Sequence, residues 1–179
     1  MRRSAPRTAV GRVLPLVSAA CILLASSACS SSEAETAPTP APVSAYEVNL
    51  PQQLLGLRVV AENIRSNLDR IQQSYLQGLG LFSFREGNDL LRATLQVGRF
   101  NDVADQKKTT FQNAIIGQLG SSVPIKLRVG DRTVYLATGS DQNIFSWFDD
   151  KGFYVLSVRS DYAFPRTMMR KLLKMELLT

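Results

Sequence analysis

Histidine is absent from this sequence, and cysteine occurs only twice in 179 residues. Without an imidazole the chain cannot form a Ser-His-Asp or Cys-His catalytic site, and it has no histidine ligand for a metal. It also lacks Ser-x-x-Lys and Gly-x-x-x-x-Gly-Lys, the patterns of a Ser-Lys nucleophile and of a phosphate-binding loop. These absences predict a protein that is not an enzyme and that has no cofactor and no metal.

The positive charge is concentrated at the N-terminus. The chain has 21 Lys and Arg against 15 Asp and Glu, and residues 1–28 contain four of the arginines and no acid. The rest of the chain therefore has an excess of only two positive charges. Nucleic-acid binding needs a basic stripe, so the sequence predicts no nucleic-acid partner.

Residues 1–29 have the zones of an export signal. The first 12 residues are basic, residues 13–28 are apolar and small, and Cys29 begins a polar run rich in Ser, Ala and Pro. The apolar run of 16 residues is shorter than the roughly 20 that a helix needs to cross a bilayer core of about 30 Å. A permanent transmembrane helix is therefore the weaker interpretation.

This segment resembles the signal peptide of bacterial lipoproteins. Ser27 and Ala28 match the small residues that precede the lipidated cysteine in that family, and Cys29 matches the cysteine itself, although Ser26 stands where the family usually has Leu. The resemblance implies cleavage after residue 28, a lipid on Cys29, and attachment to the outer face of the bacterial cytoplasmic membrane. The alternatives are ordinary signal cleavage, which would secrete the protein, and an uncleaved anchor.

The composition divides the chain into three parts. Residues 1–28 are predicted to be the signal peptide, residues 29–50 a lipidated cysteine with a flexible Ser/Ala/Pro tether, and residues 51–179 one globular domain. Both cysteines lie within or at the edge of the signal. The domain therefore has no internal disulfide and no thiolate metal site.

Apolar spacing in the globular part predicts three helices. The first covers roughly residues 61–74, the second runs from Asp105, as its N-cap, to Leu119 before Gly120, and the third begins near Pro165.

Strand-like runs fill the intervals between the helices. The last hairpin is expected to pair Asp149 with Phe153 and to place Gly152 in a left-handed conformation. The runs are 57–60, one on each side of the turn at 86–89, 125–129, 133–138, 142–148 and 153–158, and Gly130 with Asp131 is predicted to turn the chain between 129 and 133. In the run after the turn at 86–89, apolar residues from Leu91 to Val97 alternate with Arg92, Thr94 and Gln96, which predicts one buried face and one wet face.

Tight turns between consecutive strands make those strands antiparallel. The element order therefore predicts an α+β fold, with a mostly antiparallel sheet of about six strands and three helices arranged in two layers. Over roughly residues 60–179 this order resembles the PsbP-like fold. That resemblance implies a non-enzymatic adaptor or accessory role.

The hairpin rich in aromatic residues has two interpretations. If helices cover both faces of the sheet, Phe145 and Trp147 belong to the core. If they cover one face only, Phe145, Trp147, Val155 and Tyr135 form an exposed patch for a partner or an apolar ligand.

The last helix is similarly open to two interpretations. Arg166, Arg170, Lys171 and Lys174 alternate with apolar residues there. They are either the water-facing side of an amphipathic helix or a surface that contacts an anionic membrane.

The sequence as a whole predicts an exported lipoprotein that is a non-catalytic binding or accessory module at the cell envelope. Its partners would be the membrane, through the lipid anchor, and an unknown envelope protein. One alternative is a carrier of an apolar ligand such as a lipid, which requires an enclosed cavity between sheet and helices. The other is a hydrolase that uses carboxylates, which requires two or more acids to converge in one pocket; the candidates are Asp102, Asp105, Asp141, Asp149 and Asp150.

Overall fold

A computed structural model describes residues 41–42, 48–63, 68–119 and 123–179, which form nine strands and three helices. The strands are β1 (Ala41–Pro42), β2 (Gln53–Leu54), β3 (Leu57–Glu62), β4 (Leu76–Arg85), β5 (Leu91–Phe100), β6 (Ile125–Val129), β7 (Arg132–Thr138), β8 (Gln142–Phe148) and β9 (Gly152–Arg159). The helices are α1 (Arg70–Gln73), α2 (Asp102–Gly117) and α3 (Pro165–Leu173).

Eight of the strands form one antiparallel sheet in the order β2-β3-β4-β5-β9-β8-β7-β6, and β1 pairs in parallel with β4 beside this path. The predicted antiparallel α+β architecture with three helices is confirmed, but the sheet has eight strands rather than about six. The strand β2 was missed because two residues are too few to show alternation. It turns back onto β3 through Leu55 and Gly56, both of which have positive φ.

One face of the sheet, here called the α3 face, is covered by α3 and by the C-terminal residues. Alternate positions of the central strands point to this face and are buried, among them Phe82, Leu95 and Leu156. They form one cluster with the apolar side of α3 and with the C-terminal segment: Met168, Met169, Leu172, Leu173, Leu177 and Leu178. Pro165 begins the helix, at a position where its missing N–H leaves no bond unmade.

The opposite face, here called the α2 face, is covered at one end by α2. Phe111 and Ile115 of that helix pack on Leu79 of β4 and Phe153 of β9. The ring centroids of Phe111 and Phe153 are 5.3 Å apart. Helices therefore lie on both faces, and the prediction of two layers is wrong. Near its turn the β8–β9 hairpin is apolar on both sides, with Phe148 and Phe153 on the α2 face, because helices cover both sides there.

The contact between β5 and β9 depends on two glycines. A Cβ on Gly98 would lie 2.5 Å from Cδ1 and 2.8 Å from Cζ of Phe153, and closer still to Cε1. A Cβ on Gly152 would lie 2.7 Å from Cδ1 of Leu178 and closer still to the carbonyl oxygen of Gly98. Gly152 is not among the described residues with positive φ, so the left-handed conformation predicted for it is wrong. This position requires glycine because two backbones and a side chain meet there.

The prediction of a helix over residues 61–74 is wrong for most of the residues that the structure describes in this range. Residues 61–62 belong to β3, where Glu62 pairs with Leu81, and helix occurs only at Arg70–Gln73. A capping box starts α1: the Asp69 carboxylate accepts from the Gln72 amide at 2.8 Å, and the Gln72 side chain accepts from the Asp69 amide at 2.9 Å. Residues 64–67 lie outside the described part of the chain. Pairing with β4 overrides the helical spacing at residues 61–62, since a short helix is marginal alone.

The strand predictions after Leu119 agree with the structure within one residue at each end. The register of the last hairpin is wrong by one: Phe148, not Asp149, pairs with Phe153. Asp149 Oδ1 instead accepts from the backbone amides of Lys151, at 3.0 Å, and Gly152, at 2.9 Å, which makes the turn tight. A slip of one residue moves every β9 side chain to the other face.

The second helix begins at Asp102, so Asp105 lies inside α2 and is not its N-cap. Gly120, the predicted signal peptide and Cys29 lie outside the described residues. Packing extends into the predicted tether, because β1 pairs with β4 and Val48 is buried beside Leu178. None of the described helices is both long enough and apolar enough to cross a membrane.

Candidate functional site

A cleft of about 450 Å³ opens on the α2 face, beyond the end of α2. It lies where α2 no longer covers the sheet, and its floor is made by positions of β5, β8 and β9 that point to this face. Five aliphatic and four neutral polar side chains line it: Leu68, Ile115, Leu119, Ile144, Val155, Gln96, Gln118, Gln142 and Ser157. The volume is within the range of small-molecule sites.

No ionisable side chain is among these nine residues. The three glutamines supply amide donors and carbonyl acceptors, and Ser157 supplies a hydroxyl. One of them is oriented by the protein itself, since Gln118 Nε2 donates to the buried Gln72 Oε1 at 3.3 Å. A lining of this kind can hold an uncharged ligand by apolar contact and hydrogen bonds, but it offers neither a general base nor a counter-ion.

The sequence did not single out these polar residues. A signal was present, because Gln96 occupies a wet position in the alternation of β5 and Ser157 interrupts an apolar strand. What the sequence could not show is that the end of α2 and three separate strands leave a gap at the same place.

The predicted exposed patch is wrong. Trp147 is 0% exposed and Phe145 is 1% exposed, and both lie in the core of the α3 face. The indole ring of Trp147 stacks on Tyr154 with a centroid distance of 5.2 Å. Val155 and Tyr135 are half-buried and point to the α2 face. The alternative interpretation, in which Phe145 and Trp147 are core residues, is confirmed.

The candidate carboxylates do not form one group: Asp149 and Asp150 share a small cleft at the β8–β9 turn, and the side chain of Asp105 lies outside the described part of the structure. Asp141 precedes β8, whereas Asp149 and Asp150 follow its other end, seven residues of strand away. At about 3.3 Å per residue this separation is roughly 20 Å. Asp102 is exposed at the start of α2. Within the described ranges, no group of three acidic side chains is close enough to hold a metal ion.

The four cations of the last helix are exposed, and its apolar side is buried on the sheet. Arg166, Arg170 and Lys174 recur at intervals of four, which places them in one row along α3, and Lys171 lies beside that row. We call these four residues the basic surface. The predicted amphipathic packing of α3 is confirmed, while membrane contact stays a prediction.

An ionic cluster ties the C-terminal segment to the end of the β8–β9 hairpin, around a second cleft of about 240 Å³. Lys151 Nζ contacts Glu176 Oε1 at 2.7 Å and donates to the carbonyl oxygen of Leu178 at 3.0 Å. Arg132 lies 3.7 Å from Asp149. Cations and carboxylates pair with one another here, so we interpret the cluster as a structural contact between the C-terminal segment and the hairpin.

Titration shifts in the described part of the chain follow from such pairing and from burial. The hydrogen bond to Glu176 raises the pKa of Lys151, and the same bond lowers the pKa of Glu176. Burial, followed by the nearby charge of Asp149, raises the pKa of Tyr154 far above its usual value. Hydrogen bonds from Ser83 and then Arg85 lower the pKa of Glu62. None of these groups lines the uncharged cleft.

Comparisons with protein-family models, with curated proteins and with solved structures found no match to this chain. The resemblances of its signal segment and of its element order therefore stay predictions, and the function has to be inferred from the geometry of the site.

Proposed function

We propose that the protein is an exported, lipid-anchored binding module of the bacterial cell envelope that holds an uncharged, amphipathic small molecule in the cleft of the α2 face. The observation that carries this proposal is the lining of the cleft, whose nine described residues combine aliphatic and neutral polar side chains without an ionisable group. The predicted anchor at Cys29 rests on the zones of residues 1–29 and on their likeness to a lipoprotein signal.

The chemistry of the lining selects the ligand class. A charged ligand would lose its hydration in the cleft without gaining a counter-ion, which is unfavourable. A purely apolar ligand would leave the side-chain amides of Gln96 and Gln142 without partners in the cleft. A molecule with hydroxyl groups at one end and a short aliphatic part at the other satisfies both sets of side chains.

The geometry also favours binding over catalysis. Among the described lining residues, Ser157 is the one nucleophile type, and none of the other eight can act as a base. Of the earlier alternatives, the carboxylate hydrolase is less favoured, because Asp149 is held by two turn amides beside Arg132 and Asp141 lies at the other end of β8. The lipid carrier is supported only in a narrower form, since the α3 face is closely packed and the cleft on the α2 face is half-polar.

Nuclear magnetic resonance of the side-chain amides tests the proposal. Hexyl glucoside, offered below its micelle concentration, should shift the amide signals of Gln96, Gln118 and Gln142, whereas hexyl phosphate should not. Val155→Trp, which places a bulky ring on the floor of the cleft, should abolish the shifts. Val60→Trp is the matched control, because Val60 is also half-buried on the α2 face but lies outside the cleft.

Two results would contradict the proposed ligand class. One is a set of shifts that is equal for the neutral and the phosphorylated probe. The other is binding that survives Val155→Trp.

The anchor is tested separately, by metabolic labelling with a fatty-acid analogue in the parent and in Cys29→Ser; an unlabelled parent that stays unprocessed would contradict it.

A further inference from the structure

We propose that the basic surface of α3 binds the surface of an anionic phospholipid bilayer and thereby fixes the orientation of the tethered domain, with the cleft facing away from the membrane. The inference rests on the proposed anchor only for its physiological setting. Its evidence is the charge and geometry of α3.

The charge of this surface is not neutralised by direct ion pairs within the described residues, although Lys174 shares the second cleft with Asp149, Asp150 and Glu176. Residues 162–175 contain four basic residues and no acid. The nearest acids along the chain pair elsewhere, Asp161 with Arg92 and Arg159, and Glu176 with Lys151. Within the described residues, none of the four cations of the basic surface takes part in an ion pair. They are therefore available to an external anion.

An exposed aromatic side chain directly precedes the helix that carries the basic surface. Phe164, the residue before α3, is 58% exposed, and its ring lies edge-on to Tyr162 with a centroid distance of 6.1 Å. Exposed aromatic rings beside Lys and Arg are typical of protein surfaces that lie at the level of the lipid headgroups. Cations and an exposed ring together match a bilayer surface better than they match a soluble anion.

The mode of binding follows from the packing of α3. Its apolar side, with Met168 and Leu172, is 0% exposed and belongs to the core. The helix therefore cannot insert that side into the bilayer without unfolding the domain. Contact is limited to the headgroups, so binding should depend strongly on anionic lipid and on salt.

The tether makes such weak binding effective. Cys29 and Ala41 are 12 residues apart, a span of at most about 40 Å when fully extended. Each Lys or Arg near an anionic surface adds roughly a fivefold factor, so four residues give several hundredfold. A short tether supplies a local concentration in the millimolar range, which converts that factor into substantial occupancy.

The orientation follows from the two faces of the sheet. The helix α3 covers one face, and the cleft opens on the other. When the basic surface contacts lipid, the cleft is held on the far side of the domain, open to the envelope space.

The test places a tryptophan on each side of the domain and measures its quenching by lipids that carry a doxyl group. Phe164→Trp reports the α3 side. Ile71→Trp, at a 68% exposed position of α1, reports the α2 side, because Leu68 and Tyr75 on either side of α1 pack in the α2-face cluster. The full chain is used in phosphatidylcholine vesicles with and without phosphatidylglycerol. The parent protein, whose Trp147 is buried, gives the background.

We expect quenching of Phe164→Trp in vesicles that contain phosphatidylglycerol, little in phosphatidylcholine alone, and its loss at about 1 M salt, where the Debye length is about 3 Å. Ile71→Trp should not be quenched. Adding Arg170→Glu and Lys174→Glu should weaken the contact by about 25-fold or more. The matched control is Lys126→Glu with Arg128→Glu, two exposed cations of β6 that point to the α2 face; it should leave the quenching unchanged.

Equal quenching at both positions, equal loss in both charge-reversal pairs, or quenching that persists at high salt would overturn the inference. If the Glu pair lowers the thermal midpoint, Arg170→Gln with Lys174→Gln repeats the test without reversed charge. Flotation with phosphatidylcholine vesicles reports the anchor alone. If the chain does not float with phosphatidylcholine vesicles, its flotation with anionic vesicles is compared at low and at high salt. Absence of salt-sensitive flotation with the anionic vesicles would also overturn the inference.

Discussion

Replacing Gly98 by alanine should strongly destabilise the domain, because the added methyl group would enter the ring of Phe153. The new Cβ would lie 2.5 Å from Cδ1 and 2.8 Å from Cζ, whereas carbon atoms in contact are normally about 3.5–4.0 Å apart. The ring has no room to move away, since Phe111 and Phe100 lie against it at centroid distances of 5.3 and 6.4 Å. Such overpacking typically costs about 1–3 kcal/mol, and we expect a value near 3 kcal/mol.

Urea unfolding, followed by circular dichroism, measures the loss. A double-mutant cycle with Phe153→Leu identifies its cause, because leucine lacks the Cε1 and Cζ atoms that clash. In that background the cost of Gly98→Ala should fall by about 1 kcal/mol or more. Gly117→Ala is the control: a Cβ at the last residue of α2 meets nothing within 4 Å, so this change should be neutral or stabilising by up to about 1 kcal/mol.

The reasoning would be refuted if Gly98→Ala changed the free energy of unfolding by less than about 0.5 kcal/mol, the usual range for an unconstrained surface site. It would also be refuted if the cost were the same with Phe153 and with leucine at that position.

Three further predictions concern the core, a turn and an ion pair. Trp147→Ala should lower the free energy of unfolding by about 3–5 kcal/mol, and Trp147→Phe by much less, because the buried indole N–H has no hydrogen-bond partner among the described residues; a similar loss in both variants, measured by urea unfolding, would contradict this. Gly130 has φ +65° in the β6–β7 turn, so Gly130→Ala should lower the thermal midpoint by an amount equivalent to about 1–2 kcal/mol, and Gly130→Asn by less. Ser83 and Arg85 hold the pKa of Glu62 below its ordinary value of 4.5. The unfolded chain therefore takes up this proton first, and stability should fall as the pH drops from about 5 through the lowered pKa; Glu62→Gln should flatten that part of the stability profile, and an unchanged profile would show that the pairing is weak.

The local sequence pattern predicted the strands correctly where one face of the strand is exposed to water. The alternation of β5 gave both its position and its buried side, since Ala93, Leu95 and Val97 are buried while Thr94 and Gln96 are half-buried. The turn at Gly130 was predicted for the same reason: the residues that set it are neighbours in the chain.

The local sequence pattern gave wrong predictions where contacts with residues outside the pattern decide the structure. Residues 61–62 show helical spacing but pair with β4, whose partner positions lie about 20 residues later. The register of the β8–β9 hairpin depends on the side chain of Asp149 bonding two amides within the turn, and periodicity does not report such a bond. That one-residue difference decided which side chains of β9 point to the cleft.

The sequence by itself determined that no histidine is available for a catalytic or metal site, the antiparallel α+β class, and the basic row of α3, because each of these depends on residue types or on spacing within one segment. Only the tertiary structure decided that Trp147 is buried, that Asp141 lies far from Asp149 and Asp150, and that a cleft with an uncharged described lining opens beside α2. Those features depend on which elements cover each face of the sheet, and that cover is set by packing between segments far apart in the chain.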